Sequence, residues 1–272
     1  MGAPARGEPG GELRRGAQCT AGLADDRDGG ADVTELGGQV CALTVDIFGT
    51  TVDWRTGVAE QVAEVAAERE VELDGGALAD AWRERYLPSM DRVRTGSRPW
   101  AYLDTLHRES LDELLVRFGV AEAFDEPSRE RLVRAWHRLP AWRDVPEGLR
   151  RLRARFPVVA LSNGGFWLLT RLLKDEGLAF DAIISAQNAR GYKPDPHVYR
   201  TATELLDLPP ERVLMVACHG WDIDGARSAG MRTAFVERPG EKGPNVTADR
   251  AADTVSDISA GDFVELAAAL GC

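Results

Sequence analysis

The sequence predicts an α/β protein in which a parallel sheet core carries a block of helices inserted after its first strand. Three observations lead there. From Val145 onward, short β-branched runs alternate with amphipathic stretches, the pattern of βαβ units. One more run of the same strand type, residues 43–48, stands far upstream, and the stretch between keeps a helical period.

Residues 1–40 are rich in Gly, Ala, Arg and Asp, with few large apolar side chains to offset the entropy of ordering. They are expected to form a flexible extension. Residues 41–45 are apolar and β-prone, as a strand covered on both faces should be. The run ends at Asp46-Ile47-Phe48-Gly49-Thr50-Thr51, where Gly49 breaks the strand and the two threonines offer hydroxyls at the turn. Ligands of an open α/β sheet bind at the carboxyl ends of its strands, which makes Asp46 a candidate nucleophile. Its plainer reading is an aspartate that caps a turn.

Residues 56–140 place Val58, Val62, Val65 and Ala66 on one stripe and Leu78, Trp82 and Leu87 on another, with further apolar series through Leu114, Leu115 and Trp136. The spacing predicts an all-helical cap, punctuated by Gly75-Gly76, Gly96 and Gly119. The core is then residues 41–55 together with 141–272. Arg83, Arg85, Arg92, Arg94 and Arg98 crowd the second cap helix, and most of them read as solvated face. Later strands are expected at Val158–Ser162, Ala182–Ser185, 213–218 and 233–236, and an Ala-rich last helix at 263–270 packs on the sheet.

Several of these strand and loop ends carry groups that one pocket can use. Ser162-Asn163-Gly164 offers a hydroxyl, an amide and exposed backbone at the start of a helix, which suits an anion. Lys193 stands in a loop between Gly191 and Pro194, with Tyr199 on the helix that follows. The strand at 213–218 runs into His219, Trp221, Asp222 and Asp224. Each has a bland reading alone: a cap for Ser162, a loop charge for Lys193, a first-turn helix charge for Asp222. Their convergence on the edge that holds Asp46 is hard to ascribe to packing.

Composition limits the partners. A chain of 272 residues, 44% hydrophobic and 28% charged, can bury a substantial core. Its net charge of -11 argues against nucleic acid but allows a small anionic substrate held by a few cations. No apolar run reaches the roughly 20 residues of a membrane helix, and the first residues lack a signal peptide's apolar segment, so the expectation is a cytoplasmic protein with no membrane partner. Cys19, Cys41, Cys218 and Cys272 show no metal-ligand spacing.

The order Asp-x-Phe-Gly-Thr, helical block, Leu-Ser-Asn-Gly, Lys-Pro-Asp-Pro-x-x-Tyr and Trp-Asp-x-x-Gly-Ala-Arg resembles the haloacid dehalogenase superfamily, and within it the (S)-2-haloacid dehalogenase branch. The resemblance spans about residues 41 to 270 and implies a Rossmann-like core. Phosphatases of this fold carry a second aspartate where this chain has Phe48, and an aromatic there suits an apolar pocket around a carbon–halogen bond. Segment 81–87 resembles the cap helix that supplies a catalytic arginine, which falls on Arg83, with Leu87 beside the substrate.

The implied reaction uses no metal or cofactor. Asp46 displaces halide from a 2-haloalkanoic acid to form an aspartyl ester, and water then opens the ester to a 2-hydroxy acid. Lys193 keeps Asp46 ionised, while Thr50, Tyr199 and Asp222 position groups and prepare water. Ser162 and the Asn163 backbone hold the substrate carboxylate, Phe48, Gly49 and Trp221 shape the pocket, and Arg83 draws on the halide. The resemblance also implies a homodimer, for which Trp82, Trp100 and Trp136 are candidate contacts.

One departure stands out. Ala217-Cys218-His219 replaces the family's Ser-Ser-Asn, which favours small substrates such as fluoroacetate or chloroacetate and leaves His219 to serve either halide or water. Two other readings stay open: a hydrolase that opens a different carbon–heteroatom bond beside a carboxylate, and a Mg²⁺-dependent phosphatase with Asp222 and Asp224 as ligands.

Overall fold

A computed structural model describes residues 33–272 of the chain. Six strands form one parallel sheet: β1 (Ala42–Val45), β2 (Val158–Ser162), β3 (Ala182–Ser185), β4 (Val213–Ala217), β5 (Arg232–Val236) and β6 (Ile258–Ala260). Their order is β3-β2-β1-β4-β5-β6, with β1 in register against β2 through Leu43 and Val158 and against β4 through Leu43 and Leu214. The strand order reverses between β1 and β4. A crevice opens there at the carboxyl ends, the usual ligand position of doubly wound sheets.

The strands are apolar runs because both faces are covered. Leu43, Val45, Val158, Ala160, Leu214 and Val216 join one core cluster, while Val159, Leu161, Val213, Met215 and Ala217 join another. The period of two thus splits β2 and β4 between two cores. The four expected later strands are present, and β6 adds a sixth at the edge, too short at three residues to show a pattern.

Between β1 and β2 lie α2 (Trp54–Glu68), α3 (Gly75–Glu84), α4 (Tyr86–Arg94), α5 (Leu103–Arg117), α6 (Glu126–Val133) and the first core helix α7 (Val145–Arg153). Asp53, Asp74 and Asp125 cap α2, α3 and α6 by accepting from the backbone N–H of Thr56, Ala77 and Ser128. The helices bury the predicted stripes, Leu78 and Trp82 among them. Trp82 and Trp136 are themselves inside this block, 1% and 0% exposed, so they present no surface to a second copy. Trp100 stacks instead on Tyr192 of the core at 4.9 Å.

After β2 come α8 (Phe166–Asp175), α9 (Ala186–Ala189), α10 (Pro196–Leu205), α11 (Gly220–Ser228) and the last helix α12 (Phe263–Ala269). Most of the expected N-terminal extension lies outside the described residues. Its final part departs from the expectation: α1 (Val33–Gln39) is helical, and Arg155 and Arg212 hold it by donating to the carbonyls of Gly37 and Gln39 at 3.2 and 2.6 Å. These anchors lie more than a hundred residues away, which is why local composition did not show them.

Candidate active site

Asp46 follows β1 directly, and its backbone N–H still donates to Val216 on β4 at 2.9 Å, so the sheet aims its carboxylate into the crevice. The side chain is almost wholly buried. Lys193 Nζ donates to Oδ1 at 2.8 Å, and Thr50 Oγ1 donates to Oδ2 at 2.8 Å. Thr50 Oγ1 in turn accepts from the Cys218 backbone at 3.0 Å, which ties the ends of β1 and β4 together. Burial by itself raises the Asp46 carboxyl, but the Lys193 ammonium and then His219 outweigh it and hold the group well below the usual carboxylate range. Asp46 is therefore an anion throughout the physiological range.

Lys193 is equally buried and bridges two carboxylates, reaching Asp222 Oδ2 at 2.5 Å. Burial disfavours its charge, yet Asp222 and Asp46 raise its pKa above that of an ordinary lysine. The loop that carries it is held by Asn163, whose Oδ1 accepts from Lys193 N at 2.8 Å. The Asn163 side chain thus positions Lys193. Asp222 sits on the first turn of α11, fully buried, and Tyr199 donates to its Oδ1 at 2.6 Å. Burial raises the Asp222 carboxyl, with Lys193 opposing and Asp46 adding to the rise. At Gly225 a Cβ would stand 2.6 Å from the Tyr199 hydroxyl, so the glycine on α11 is what admits the tyrosine.

His219 is buried at the start of α11, with Nδ1 3.5 Å from Asp46 Oδ2. Its Nε2 lies 3.2 Å from Glu241 Oε1 and 3.1 Å from Arg83 Nη2. Trp221 stacks on the ring at 5.3 Å. Arg83 comes from α3 and lies over the rings of Tyr86 at 4.3 Å and Trp54 at 5.2 Å. Its Nη1 is buried with no hydrogen-bond partner. Arg83, Tyr86, Leu87, Trp54, His219 and Trp221 line a cavity of about 480 Å³ over this edge of the sheet. Phe48 is buried beneath it, edge-on to Trp136 at 6.0 Å and Tyr86 at 6.5 Å.

The predicted residues thus fall into one place: Asp46, Thr50, Lys193, Tyr199, Asp222, His219 and Arg83 form a connected set. Ser162 lies in the neighbouring strand end and accepts from Gly164 N at 3.2 Å. Gly49 has φ +87, and a Cβ there would come 2.7 Å from Glu241 Oε1. Glu241 itself escaped sequence reasoning. It stands 2% exposed in the loop after β5, accepts from Trp54 Nε1 and faces both His219 and, at 3.7 Å, Arg83. A glutamate between Gly240 and Lys242 in a Pro- and Gly-rich loop carries no pattern that marks it.

Asp224 does not join the site. Its side chain is 71% exposed and turned toward Arg227, because it lies on the outward side of α11 from Asp222. Among the described residues no group of three or more His, Cys, Asp or Glu is placed to hold a metal ion. Asp222 and Asp224 thus do not face one point, and the cation between Asp46 and Asp222 is Lys193.

The site is thus a buried, lysine-paired carboxylate at the switch point of a parallel sheet, with a block of helices inserted after its first strand. The family model for haloacid dehalogenase-like hydrolases matches residues 41–230, and the chain belongs to that family. It is 34% identical over 200 residues to (S)-2-haloacid dehalogenase 1 of Pseudomonas sp. (strain CBS-3), covering 72% of this chain and 84% of the relative. A crystal structure of a defluorinating L-2-haloacid dehalogenase superposes with a TM-score of 0.83 at 43% identity, over 86% of this chain and 96% of the other. The Xanthobacter autotrophicus L-2-haloacid dehalogenase with chloropropionic acid covalently bound gives 0.71 at 26% identity, over 84% and 97%.

Proposed function

We propose that the protein hydrolyses short 2-haloalkanoic acids to 2-hydroxy acids through an ester on Asp46, with residues 56–140 as the cap over a core of 41–55 and 141–272. The carrying observation is the state of Asp46: buried, kept ionised by Lys193 at 2.8 Å, and accompanied at the second position after it by Phe48 in place of an acid. A phosphate ester needs its leaving oxygen protonated, whereas a halide leaves as an anion and needs donors alone. Asp46 attacks the halogen-bearing carbon, the C–O bond forms as the carbon–halogen bond breaks, and the electron pair departs with the halide. Ser162 and the backbone at Asn163 receive the substrate carboxylate. The unpartnered Nη1 of Arg83 is a ready donor for the halide, and one such oriented donor in a dry site is worth about 3 kcal/mol of barrier.

His219, Trp221 and Leu87 line the cavity, and the imidazole of His219 in place of the family's asparagine adds bulk there, which we read as favouring small acids such as chloroacetate and fluoroacetate. No described helix is long and apolar enough to cross a membrane. With Cys218 buried as a thiol beside the site, we place the enzyme in the cytoplasm.

The test is halide release in EDTA from chloroacetate, fluoroacetate and racemic 2-chloropropionate, with Asp46→Asn as control. Halide freed by the wild type alone, and from half of the racemate, is the expected result. Cleavage of a phosphate ester on adding Mg²⁺, with no halide from any acid, would overturn the reading.

A further inference from the structure

We propose that His219, oriented by Glu241, is the general base that activates water for hydrolysis of the Asp46 ester. The proposal rests on the dehalogenase reading and assigns its second half-reaction.

Position decides between halide and water. In an in-line displacement the halide leaves on the side of the carbon away from the attacking oxygen. Nδ1 of His219 is 3.5 Å from Asp46 Oδ2, on the side of the nucleophile, where the ester carbonyl will stand. Arg83, which lines the cavity and whose buried Nη1 has no partner, is the donor left for the halide. Asp222 is poorly placed as a base: Tyr199 donates to one of its oxygens and Lys193 to the other, and it is fully buried. His219 lines the cavity, whereas Asp222 and Asp46 itself lie behind its wall. A base that meets incoming water must reach the cavity, and His219 does.

Glu241 makes the geometry productive. Its carboxylate lies 3.2 Å from Nε2, with Arg83 Nη2 at 3.1 Å from the same nitrogen; the proton of the neutral ring is assigned to Nε2, facing Glu241, which turns the Nδ1 lone pair toward Asp46. Trp54 Nε1 donates to the same carboxylate, and Trp221 stacks on the ring. The groups that face His219 are Asp46 after β1, Arg83 on α3, Cys218 at the end of β4, and Glu241 with the more distant Asp249 in the loop after β5. Burial opposes a charge on the ring, but Cys218, Glu241 and Asp46 together raise its pKa well above that of a free histidine, so the resting site pairs an imidazolium with the Asp46 anion.

Alkylation of Asp46 removes the anion that faces Nδ1. The Nδ1 proton then passes to solvent as the halide leaves, and the ring is neutral. Water attacks Cγ of the ester and gives a proton to Nδ1. The tetrahedral intermediate breaks its bond to the substrate oxygen, which takes that proton and departs as the hydroxy acid. Asp46 is left as a carboxylic acid and returns its proton to Nδ1, restoring the resting pair. The sum is haloacid plus water to hydroxy acid, halide and one proton.

The experiment uses His219→Gln and Glu241→Gln in rapid-quench assays with 2-chloropropionate, following chloride and the intact protein mass. The wild type must first turn over; if it releases no chloride, the dehalogenase reading fails and the base assignment is not what was tested. With turnover established, His219→Gln is expected to release about one chloride per enzyme and then stall, with the mass of the ester adduct on the protein and turnover down about 10²- to 10⁴-fold. Glu241→Gln is expected to keep the burst, slow the second phase and shift its pH dependence, with recovery in Glu241→Asp. A His219→Gln enzyme that hydrolyses its ester at the wild-type rate, or that loses the burst while circular dichroism shows it folded, overturns the assignment.

Discussion

At the scale of single residues, the site is governed by how many charges share how little water. Lys193 is one cation between two buried carboxylates, and the shifts around it follow from that ratio. Asp46, with Lys193 and His219 beside it, is held low, whereas Asp222 is raised. Removing the ammonium leaves burial as the largest influence on Asp46, and burial favours the protonated acid. Lys193→Met should therefore move the acid limb of kcat/KM for halide release upward in pH. At neutral pH the rate should fall about two orders of magnitude, the scale of one oriented charge in a dry site. Chloride release by ion electrode across pH 4 to 9 measures both. An acid limb that stays put in a folded Lys193→Met enzyme would show that Lys193 does not set the charge of Asp46.

At the scale of elements, the inserted helices meet the sheet through aromatic rings. Phe48, one turn past β1, packs edge-on against Trp136 and Tyr86, and Trp136 stacks on Trp54 and meets Trp82 edge-on. Truncating a fully buried ring removes both its transfer energy and its packing, so Phe48→Ala should cost about 3 to 5 kcal/mol. Urea unfolding reads this as a lower midpoint, and Phe48→Leu should recover most of it; an unchanged midpoint in Phe48→Ala would mean that the helices do not lean on this ring. The same elements show what a chain discloses in advance. Strands β1, β2 and β4 were legible because burial on two faces writes an unbroken apolar run, and Asp46, Ser162 and His219 could be read as the residues that end such runs. Strand β6 at the sheet edge is three residues long and leaves no period to read. Glu241 was invisible for another reason: its place depends on the path of the loop after β5, and nothing local records where that loop returns.

At the scale of the whole molecule, one ion pair links three parts of the core that the site depends on. Arg238, 6% exposed after β5, donates to both oxygens of Asp144 at 2.8 and 2.9 Å and through Nε to the carbonyl of Thr50 at 2.9 Å. Asp144 also accepts from the backbone of Phe263 at the start of α12, at 2.9 Å. The turn after β1, the entry to α7 and the last helix are thus fastened at one point, and the turn is the one that carries Thr50. Asp144 is only half-buried, so removing Arg238 leaves a charge that water partly compensates, at a cost of about 1 to 3 kcal/mol. Burial works to raise the Asp144 carboxyl, but Arg238 and the Phe263 amide prevail and lower it. Because the folded-state pKa is depressed, the contribution to stability is present above the unfolded value of 3.8 and lost as pH falls through the lower folded one. The gap in unfolding free energy between wild type and Arg238→Met should accordingly be full at pH 7 and shrink below about pH 4, as acid protonates Asp144 in both. Urea titrations at pH 7, 5 and 3.5 measure it. A gap that is the same at all three would mean that Arg238 stabilises by packing against Trp142 and Phe263, whose rings lie 5.5 and 5.3 Å from its guanidinium, and not through its charge.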